Sequence, residues 1–382
     1  MKIADLLEKT IDNRGKTPPV SDDGFCLLEI NCIAGKHKYP DYSMIRKHVT
    51  KETYLTWFRS GHPRAGDILI PTVGTLDAIS MMDRNDCCIA QNLVAFRPNS
   101  SICDNEFLYY LLCDPTVRLR VLQLDIGAVQ PSIKVPHLKN LEVDIPALNV
   151  QKKIAGILKA IDTKIFQNNK INENLSEQIQ AIYSNEFDST THTPSGVLAD
   201  ICHYSSDRIL VSELSVSTYY STENMQPNKK GSVDATSLPS IIQTTGCHKG
   251  DVLISNIRPY FKKIVYVTDD RCGCSTDVLC FVPKKDQYSA FLFGTLYMDR
   301  FFDYMVAGSK GTKMPRGDKQ QIMNYPVVLP NKASLDLFNR LVVPMLDQIA
   351  SNRIENSRLV ALRDILLPRL MSGELDVSEL DL

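Results

Sequence analysis

The chain lacks the features that mark membrane, secreted and zinc-stabilised proteins. It contains no apolar run of about eighteen residues, so no transmembrane helix and no membrane partner are expected. Its first five residues form no apolar signal core, so no secretory leader is expected. The eleven cysteines include no C-x-x-C pair, which disfavours a structural zinc site. Reduced thiols in a cytoplasmic protein, several of them in strand cores, are predicted instead.

Signatures of catalysis are also missing. The sequence has no G-x-S-x-G, no H-E-x-x-H and no Asn/Asp-Pro-Pro-aromatic motif of the kind that DNA amino-methyltransferases carry. Gly15-Lys16-Thr17 resembles the end of a phosphate loop, but Thr10 occupies the position of the first glycine. The sequence therefore predicts a binding protein with no catalytic residues, no cofactor and no metal of its own.

A strong charge of one sign is absent as well. Lys and Arg number 43 against 44 Asp and Glu, which gives a formal net charge of −1. Non-specific binding of nucleic acid depends on neutralising phosphates, so this balance disfavours a protein that coats nucleic acid. Any contact with nucleic acid must come from local clusters of basic residues.

What the sequence does contain is an internal repeat with a period of about 180 residues. The corresponding segments are Lys134-Val135-Pro136 and Lys313-Met314-Pro315, Asn169-Lys170-Ile171 and Asn352-Arg353-Ile354, and the strand-like segments 66–70 and 250–254. Their offsets are 179, 183 and 184 residues. A duplicated unit of domain size predicts a protein with two similar halves.

Each half ends in a segment with the heptad spacing of a long helix. The first is predicted over 150–186, and the second begins near Ala333, with Pro344 kinking or restarting it and Pro368 ending it. The two seven-residue series are Ile154, Ile161, Asn168, Leu175 and Ile182, and Phe338, Met345, Asn352, Leu359 and Leu366.

One asparagine stands at the third position of each series. Asn168 and Asn352 are 184 residues apart. If the helices pack antiparallel, the two amides would meet at the midpoint, hydrogen-bond to each other and fix the register. The alternative is that each asparagine faces solvent on an imperfect helix.

The fold class predicted from these patterns is α+β. Two similar mixed α/β domains, residues 1–149 and 191–330, are joined by two long antiparallel helices with a coiled-coil seam. The first helix with its linker occupies 150–190, and the second with an acidic tail occupies 331–382. The internal repeat predicts pseudo-twofold symmetry for this arrangement.

Loops rich in basic, polar and aromatic residues are the candidate contacts with DNA, because such side chains bind phosphates and base edges. For each loop alone, the alternative is a solvated charged face. The candidates are Lys36, Lys38, Arg46, Lys47, Arg59, Thr72, Thr75, Gln130 and Lys134 in the first half, and Asn256, Arg258, Tyr260, Lys262, Lys310 and Lys313 in the second.

Over essentially its full length the chain resembles the specificity subunits of type I restriction–modification systems. The segments that carry the resemblance are 11–19 (IDNRGKTPP), 90–96 (AQNLVAF), 145–155, 221–229, 250–260 (GDVLISNIRPY) and 362–375 (LRDILLPRLMSGEL). Their order and spacing, rather than any one of them, support it.

The resemblance implies two target recognition domains, each reading one half of a split, asymmetric target in double-stranded DNA. It implies that the two helices act as a spacer and dock two copies of a methyltransferase (modification) subunit, which carries S-adenosylmethionine and methylates adenine N6. A motor–nuclease (restriction) subunit joins for cleavage. Chemistry would then belong to the partners.

Two other functions remain open from the sequence. A duplicated module on a coiled coil could be a protein-interaction scaffold without DNA sequence specificity. A self-sufficient enzyme is disfavoured by the missing motifs, and methyl transfer by the chain alone would be needed to support it.

Overall fold

The computed structural model describes residues 1–35, 37–127, 129–187 and 192–380. The chain forms two compact units, residues 1–165 with 357–382, and residues 166–356. Each unit therefore contains part of both long helices. The domain boundaries expected from the sequence assign each helix whole, and they stay a prediction.

The described residues of the first unit form seven short strands and four short helices before the first long helix. The strands are β1 (Leu7–Ile11), β2 (Phe25–Leu28), β3 (His48–Val49), β4 (Ile68–Pro71), β5 (Ser80–Met81), β6 (Cys87–Ile89) and β7 (Leu93–Pro98), and the helices are α1 (Lys51–Thr56), α2 (Asn105–Cys113), α3 (Pro115–Leu122) and α4 (Val135–Lys139). The first long helix is α5 (Leu148–Phe187).

The described residues of the second unit form ten strands and four short helices before the second long helix. The strands are β8 (Gly196–Val197), β9 (Cys202–Tyr204), β10 (Arg208–Leu210), β11 (Tyr219–Tyr220), β12 (Gln243–Cys247), β13 (Val252–Ser255), β14 (Ile264–Tyr266), β15 (Cys272–Cys274), β16 (Val278–Pro283) and β17 (Pro326–Val327), and the helices are α6 (Leu198–Ile201), α7 (Ser289–Tyr297), α8 (Asp299–Ala307) and α9 (Lys319–Met323). The second long helix is α10 (Lys332–Met371).

One sheet has the same topology in the two units. An antiparallel four-stranded sheet has the order β1-β7-β4-β5 in the first unit and β9-β16-β13-β14 in the second. A second sheet contains one parallel pair in each unit, β2 with β6 and β11 with β15. The central strands β4 and β13 are buried at every position, as expected for strands covered on both faces.

Each core combines the four-stranded sheet, the short helices and the long-helix segments of its own unit. In the first unit, Leu158 of α5 and Leu370 of α10 join the cluster around Phe107. In the second, Tyr183 of α5 and Phe338 of α10 join a cluster of aromatic rings. Each such side chain stabilises the folded state by about 1.5–3 kcal/mol when it is fully buried. This burial holds the helices against the sheets.

Two long helices are present, and the prediction that Pro368 ends the second was wrong. Pro344 and Pro368 lie inside α10, which continues to Met371, so Pro344 does not restart the helix, and a kink there stays a prediction. An interior proline removes one backbone hydrogen bond and its ring crowds the carbonyl four residues earlier, so the helix must be held by its packing contacts. Val342 and Leu346, on either side of Pro344, are buried and hold both flanks against the core.

Three shorter segments differ from what their apolar residues indicate. The apolar run 88–96 indicates one strand but forms two strands in different sheets, because the chain turns where Leu93 N donates to Ala90 O at 3.0 Å. The spacing of apolar residues over 291–306 indicates one helix, but the segment is divided between α7 and α8 at Met298, whose ψ of 140° is extended. The segment 141–146 reads as a short strand but forms a single bridge, at Glu142. An apolar pattern does not reveal such breaks.

Candidate nucleic-acid interface

Two of the predicted contact segments of the first unit lie side by side. Gly74 N donates to Pro131 O at 2.8 Å, and Ile133 N donates to Thr72 O at 2.9 Å. These bonds join the turn after β4 to the segment before α4. The pair forms one continuous surface, which we call the first loop pair (72–77 and 130–134).

The second unit contains the same arrangement. Arg258 N donates to Pro315 O at 2.8 Å, and Gly317 N donates to Asn256 O at 3.3 Å. These bonds join the turn after β13 to the segment before α9. We call this surface the second loop pair (256–263 and 309–317).

Each of these four residues follows its counterpart in the first loop pair by 184 positions. The offset of 179 suggested by Lys134 and Lys313 is therefore wrong, because the bonded prolines, Pro131 and Pro315, are the equivalent pair. Short sequence matches cannot distinguish such shifts when a loop differs in length before the match. The hydrogen bonds settle the alignment because they fix which backbone atoms face each other.

In the first loop pair, three predicted residues are exposed and one is not. Thr75, Gln130 and Lys134 present their side chains to solvent. Thr72 is only 2% exposed, and its Oγ1 donates to Asn92 O at 3.2 Å. Thr72 therefore organises the turn, while the other three side chains are accessible to a ligand.

Lys38 has a structural role in the first unit. Its Nζ lies 2.5 Å from Glu106 Oε2 and 3.2 Å from the Tyr110 hydroxyl, and its side chain is 11% exposed. Removing one member of such a largely buried ion pair leaves an uncompensated charge and is strongly destabilising, so a cation paired in this way is a poor phosphate ligand. Lys36, its neighbour among the candidates, lies outside the described residues.

The other basic candidates of the first unit are exposed. Arg46 is on the surface, and Lys47 pairs with Glu29 at 2.8 Å. Arg59 Nη2 donates to Arg14 O at 3.0 Å. Exposed ion pairs contribute only about 0–1 kcal/mol, so Lys47 can exchange its carboxylate for a phosphate at little cost.

The second loop pair is the more basic of the two. Lys310 and Lys313 are exposed, and Lys310 Nζ lies 2.6 Å from Asp318 Oδ2. That ammonium group holds the pKa of Asp318 below its usual range. Arg316, which the sequence analysis did not single out, has a side chain 57% exposed and pairs with Asp277 at 2.9 Å. The sequence feature that could have identified Arg316 is its position beside Pro315, whose carbonyl oxygen accepts the bond that joins the two loops.

Asn256 and Lys262 shape the second loop pair from within. Asn256 is 8% exposed, and its Oδ1 is buried without a hydrogen-bond partner among the described residues. Lys262 Nζ bonds to Asp299 Oδ1 at 2.9 Å, and Lys229 Nζ bonds to the same oxygen at 2.8 Å. The two lysines, Lys229 first, hold the pKa of Asp299 below its usual range.

The helix segments of the second unit meet in a buried layer of amides. Asn168 Nδ2 donates to Asn356 Oδ1 at 2.9 Å and to Glu355 Oε2 at 2.8 Å. Asn352 Nδ2 donates to Asn172 Oδ1 at 2.8 Å. Asn168 and Asn352 are 0% and 4% exposed, so neither faces solvent.

The predicted bond between Asn168 and Asn352 themselves is replaced by bonds to residues one turn away. Asn172 and Asn356 also differ by 184 positions, so the layer contains two equivalent cross-helix pairs rather than one. The heptad pattern placed both asparagines in the seam correctly. It could not assign their partners, because an axial shift of a few residues leaves the apolar pattern unchanged.

Metal and membrane features are absent from the part of the chain that the structure describes. No group of three or more His, Cys, Asp or Glu residues there could hold a metal ion. All eleven cysteines are free thiols, and most are buried. Within the described ranges, no helix is long and apolar enough to cross a membrane.

Comparison with known proteins identifies related chains. Residues 35–177 match the family described as type I restriction modification DNA specificity domain. The type I restriction enzyme MjaIX specificity subunit of Methanocaldococcus jannaschii is 22% identical over 324 residues, 72% of this chain and 70% of that one. The MjaVIII specificity subunit of the same organism is 31% identical over 135 residues, 34% of this chain and 31% of that one.

A solved structure agrees in fold. The type I restriction–modification S subunit from M. genitalium superposes with a TM-score of 0.58 at 16% identity, covering 97% of this chain and 95% of that one. The solved structure thus shows a shared fold, and residues 35–177 match a DNA specificity domain. The chain is similar to the type I restriction–modification specificity subunits.

Proposed function

We propose that this chain is the DNA-recognition subunit of a type I restriction–modification complex, and that each unit recognises one half of a split target. The observation that carries the proposal is the presence of the same backbone-bonded loop pair in both units, 184 residues apart. A shared scaffold presents comparable surfaces to two stretches of duplex.

The side chains on the two loop pairs differ, which supports an asymmetric target. The first presents Thr75, Gln130 and Lys134, whereas the second presents Lys310 and Arg316 among its exposed residues. Arg and Lys pair with guanine edges or phosphates, and Gln pairs with adenine. Different donors and acceptors on equivalent loops would select different bases in the two half-sites.

We also propose that the two long helices form an antiparallel spacer with pseudo-twofold symmetry. The amide layer supports this, since the bond from Asn168 to Asn356 becomes that from Asn352 to Asn172 when the repeats are exchanged. In that arrangement the helices would dock two copies of a methyltransferase subunit and set the gap between half-sites. Methylation of adenine N6 and cleavage would be carried out by the methyltransferase and motor–nuclease partners in the cytoplasm.

The decisive experiment maps methylated adenines in DNA from cells that carry this chain with its methyltransferase partner. We expect one bipartite, non-palindromic motif with a fixed gap, which disappears when this chain is deleted and the methyltransferase is kept. Methylation that is unchanged by the deletion would refute the proposal.

A second experiment tests the spacer. Removing two turns from α5 and the equivalent two turns from α10 should shorten the gap between the half-sites without changing the bases recognised. A motif with an unchanged gap would contradict a spacer role for the helices.

The alternative of a protein scaffold without DNA specificity has no support from the related proteins. It predicts that the complex with the methyltransferase binds specific and random duplexes equally. Competition binding between the mapped motif and a scrambled duplex of the same composition distinguishes the two functions.

A further inference from the structure

The second loop pair carries a concentration of backbone strain. In the described part of the chain, the non-glycine residues with positive φ are Asn228, Lys229, Arg258 and Lys262, at 55°, 61°, 51° and 51°. Each costs about 1 kcal/mol or more, and such residues persist where the surrounding structure enforces them. Here all four lie in two touching segments of the second unit.

The strain is held in place by a dense set of bonds. Asn228 N donates to Phe261 O at 2.8 Å, and Lys229 N donates to Lys262 O at 2.9 Å. Both lysine ammonium groups then bind Asp299 at the start of α8, as described above. The turn 258–262 is therefore a rigid element and not a free loop.

The first unit has a positive φ at the position equivalent to Arg258 without strain. Gly74, the counterpart of Arg258, has a φ of 84°, which glycine adopts at no steric cost. In the second unit the backbone is strained at this position because the residue is an arginine and not a glycine. Its Nε is buried without a hydrogen-bond partner among the described residues, although part of the side chain is accessible.

This rigid turn presents two aromatic side chains to solvent. Tyr260 and Phe261 are 48% and 39% exposed, and their ring centroids are 4.8 Å apart. The counterparts in the first unit are Leu76, which is 4% exposed, and Asp77, which pairs with Arg118. Only the second unit therefore carries an aromatic tip at this position.

The charge around the tip indicates its ligand. Arg258 and Lys262 flank it in sequence, and Arg258 N is bonded to Pro315, the neighbour of the exposed Arg316. A protein partner would need a strongly acidic apolar surface to match this combination. Duplex DNA offers both parts, since phosphates lie on either side of the apolar faces of the stacked bases.

We propose that Tyr260 and Phe261 form a wedge that enters a base step in the half-site bound by the second unit and partly unstacks it. This inference rests on the proposed DNA-recognition function and adds to it a means of recognition. The second half-site would be selected partly by how easily its step deforms, whereas the first would be recognised by contacts alone. The exposed Arg316, which follows the Pro315 bonded to Arg258, would hold a phosphate beside the opened step.

The test uses the full chain assembled with its methyltransferase partner on the mapped target, with 2-aminopurine placed in turn at each step of both half-sites. The methyltransferase flips its target adenine out of the stack, so fluorescence should rise at that adenine in each half-site. Apart from these two positions, we expect fluorescence to rise at one step of the second half-site only. The double variant Tyr260→Ala/Phe261→Ala should lose that signal and bind about tenfold more weakly, because stacking on an aromatic ring contributes about a factor of ten or more. Tyr260→Phe should keep the signal, because the ring remains.

Two further measurements make the outcome decisive. A mismatch at the same step unstacks it in advance, so it should restore most of the affinity that the double variant loses. Ile242→Ala removes a side chain that is 82% exposed elsewhere in the second unit, and it should change neither signal nor affinity.

Each contrary result has a distinct meaning. A complex that methylates its target, and in which no step of the second half-site other than the flipped adenine is unstacked, overturns the wedge and leaves the DNA-recognition function intact. Loss of methyltransferase binding by the double variant, with unstacking retained, identifies the aromatic tip as a protein-docking surface and also overturns the wedge. A wild-type complex without sequence-specific DNA binding overturns the proposed function itself.

Discussion

Replacing Asn168 with alanine tests whether the buried amide layer holds the long helices in register. The substitution removes the bonds from Nδ2 to Glu355 at 2.8 Å and to Asn356 at 2.9 Å. A bond to a charged group contributes about 1.5–3 kcal/mol and a neutral one about 1 kcal/mol. Because Glu355 is half-buried and regains water, we expect a loss of about 2 kcal/mol in the free energy of unfolding.

The equivalent substitution in the other helix should cost less. Asn352→Ala removes a bond to Asn172 at 2.8 Å and one from Gln348 at 2.7 Å, both between neutral groups. We expect a loss of about 1 kcal/mol. A double-mutant cycle between Asn172 and Asn352 should give a coupling energy of about 1 kcal/mol, which a merely exposed pair would not show.

Urea unfolding followed by circular dichroism provides the measurement, and Asn174→Ala provides the control. Asn174 is exposed on the same helix and only accepts a bond from Gln178 at 2.9 Å. Its substitution should change stability by less than about 0.5 kcal/mol. If Asn168→Ala costs no more than Asn174→Ala, the layer does not stabilise the helix pair and the reasoning is refuted.

Three more predictions follow from individual contacts. Arg97→Met leaves the Asp67 carboxylate, 3% exposed, without its bidentate partner, and urea unfolding should show a loss of about 3 kcal/mol. Lys38→Ala should lower the melting temperature without changing the salt dependence of DNA binding, whereas Lys134→Ala should flatten that dependence at an unchanged melting temperature. The backbone carbonyl of Asp270 raises the pKa of His248. The hydrogen bond between them therefore stabilises the folded state fully below the ordinary histidine pKa of about 6.5, and this stabilisation is lost as pH rises through the folded pKa. His248→Gln should therefore differ most from wild type in melting temperature at low pH, and a difference that grows with pH would contradict this.

Local patterns in the sequence were sufficient to predict the long helices and to indicate the internal repeat. The heptad spacing of Ile154, Ile161 and Leu175 follows from helix geometry alone, and α5 has the predicted extent within two residues at its start. The strands at 68–71 and 252–255 were expected from short apolar runs bounded by glycine. Such signals depend only on neighbouring residues, so a single chain displays them.

The role of each basic residue could not be predicted in the same way. Lys38 and Lys134 have the same chemistry and similar polar surroundings in sequence. One is paired with Glu106 against a helix, and the other is exposed beside a bonded loop. The difference arises from residues far away in the chain, which loop composition does not indicate.

The amino-acid sequence by itself indicated an α+β fold, two long helices, an internal repeat and a resemblance to type I restriction–modification specificity subunits. The tertiary structure decided which loops meet, that Arg316 lies beside Arg258, and that Asn168 bonds to Asn356. The physical reason is that periodicity and capping act within a few residues of the chain. Hydrogen bonds between distant segments, and left-handed turns, depend on how those segments pack together. Only the folded molecule defines them.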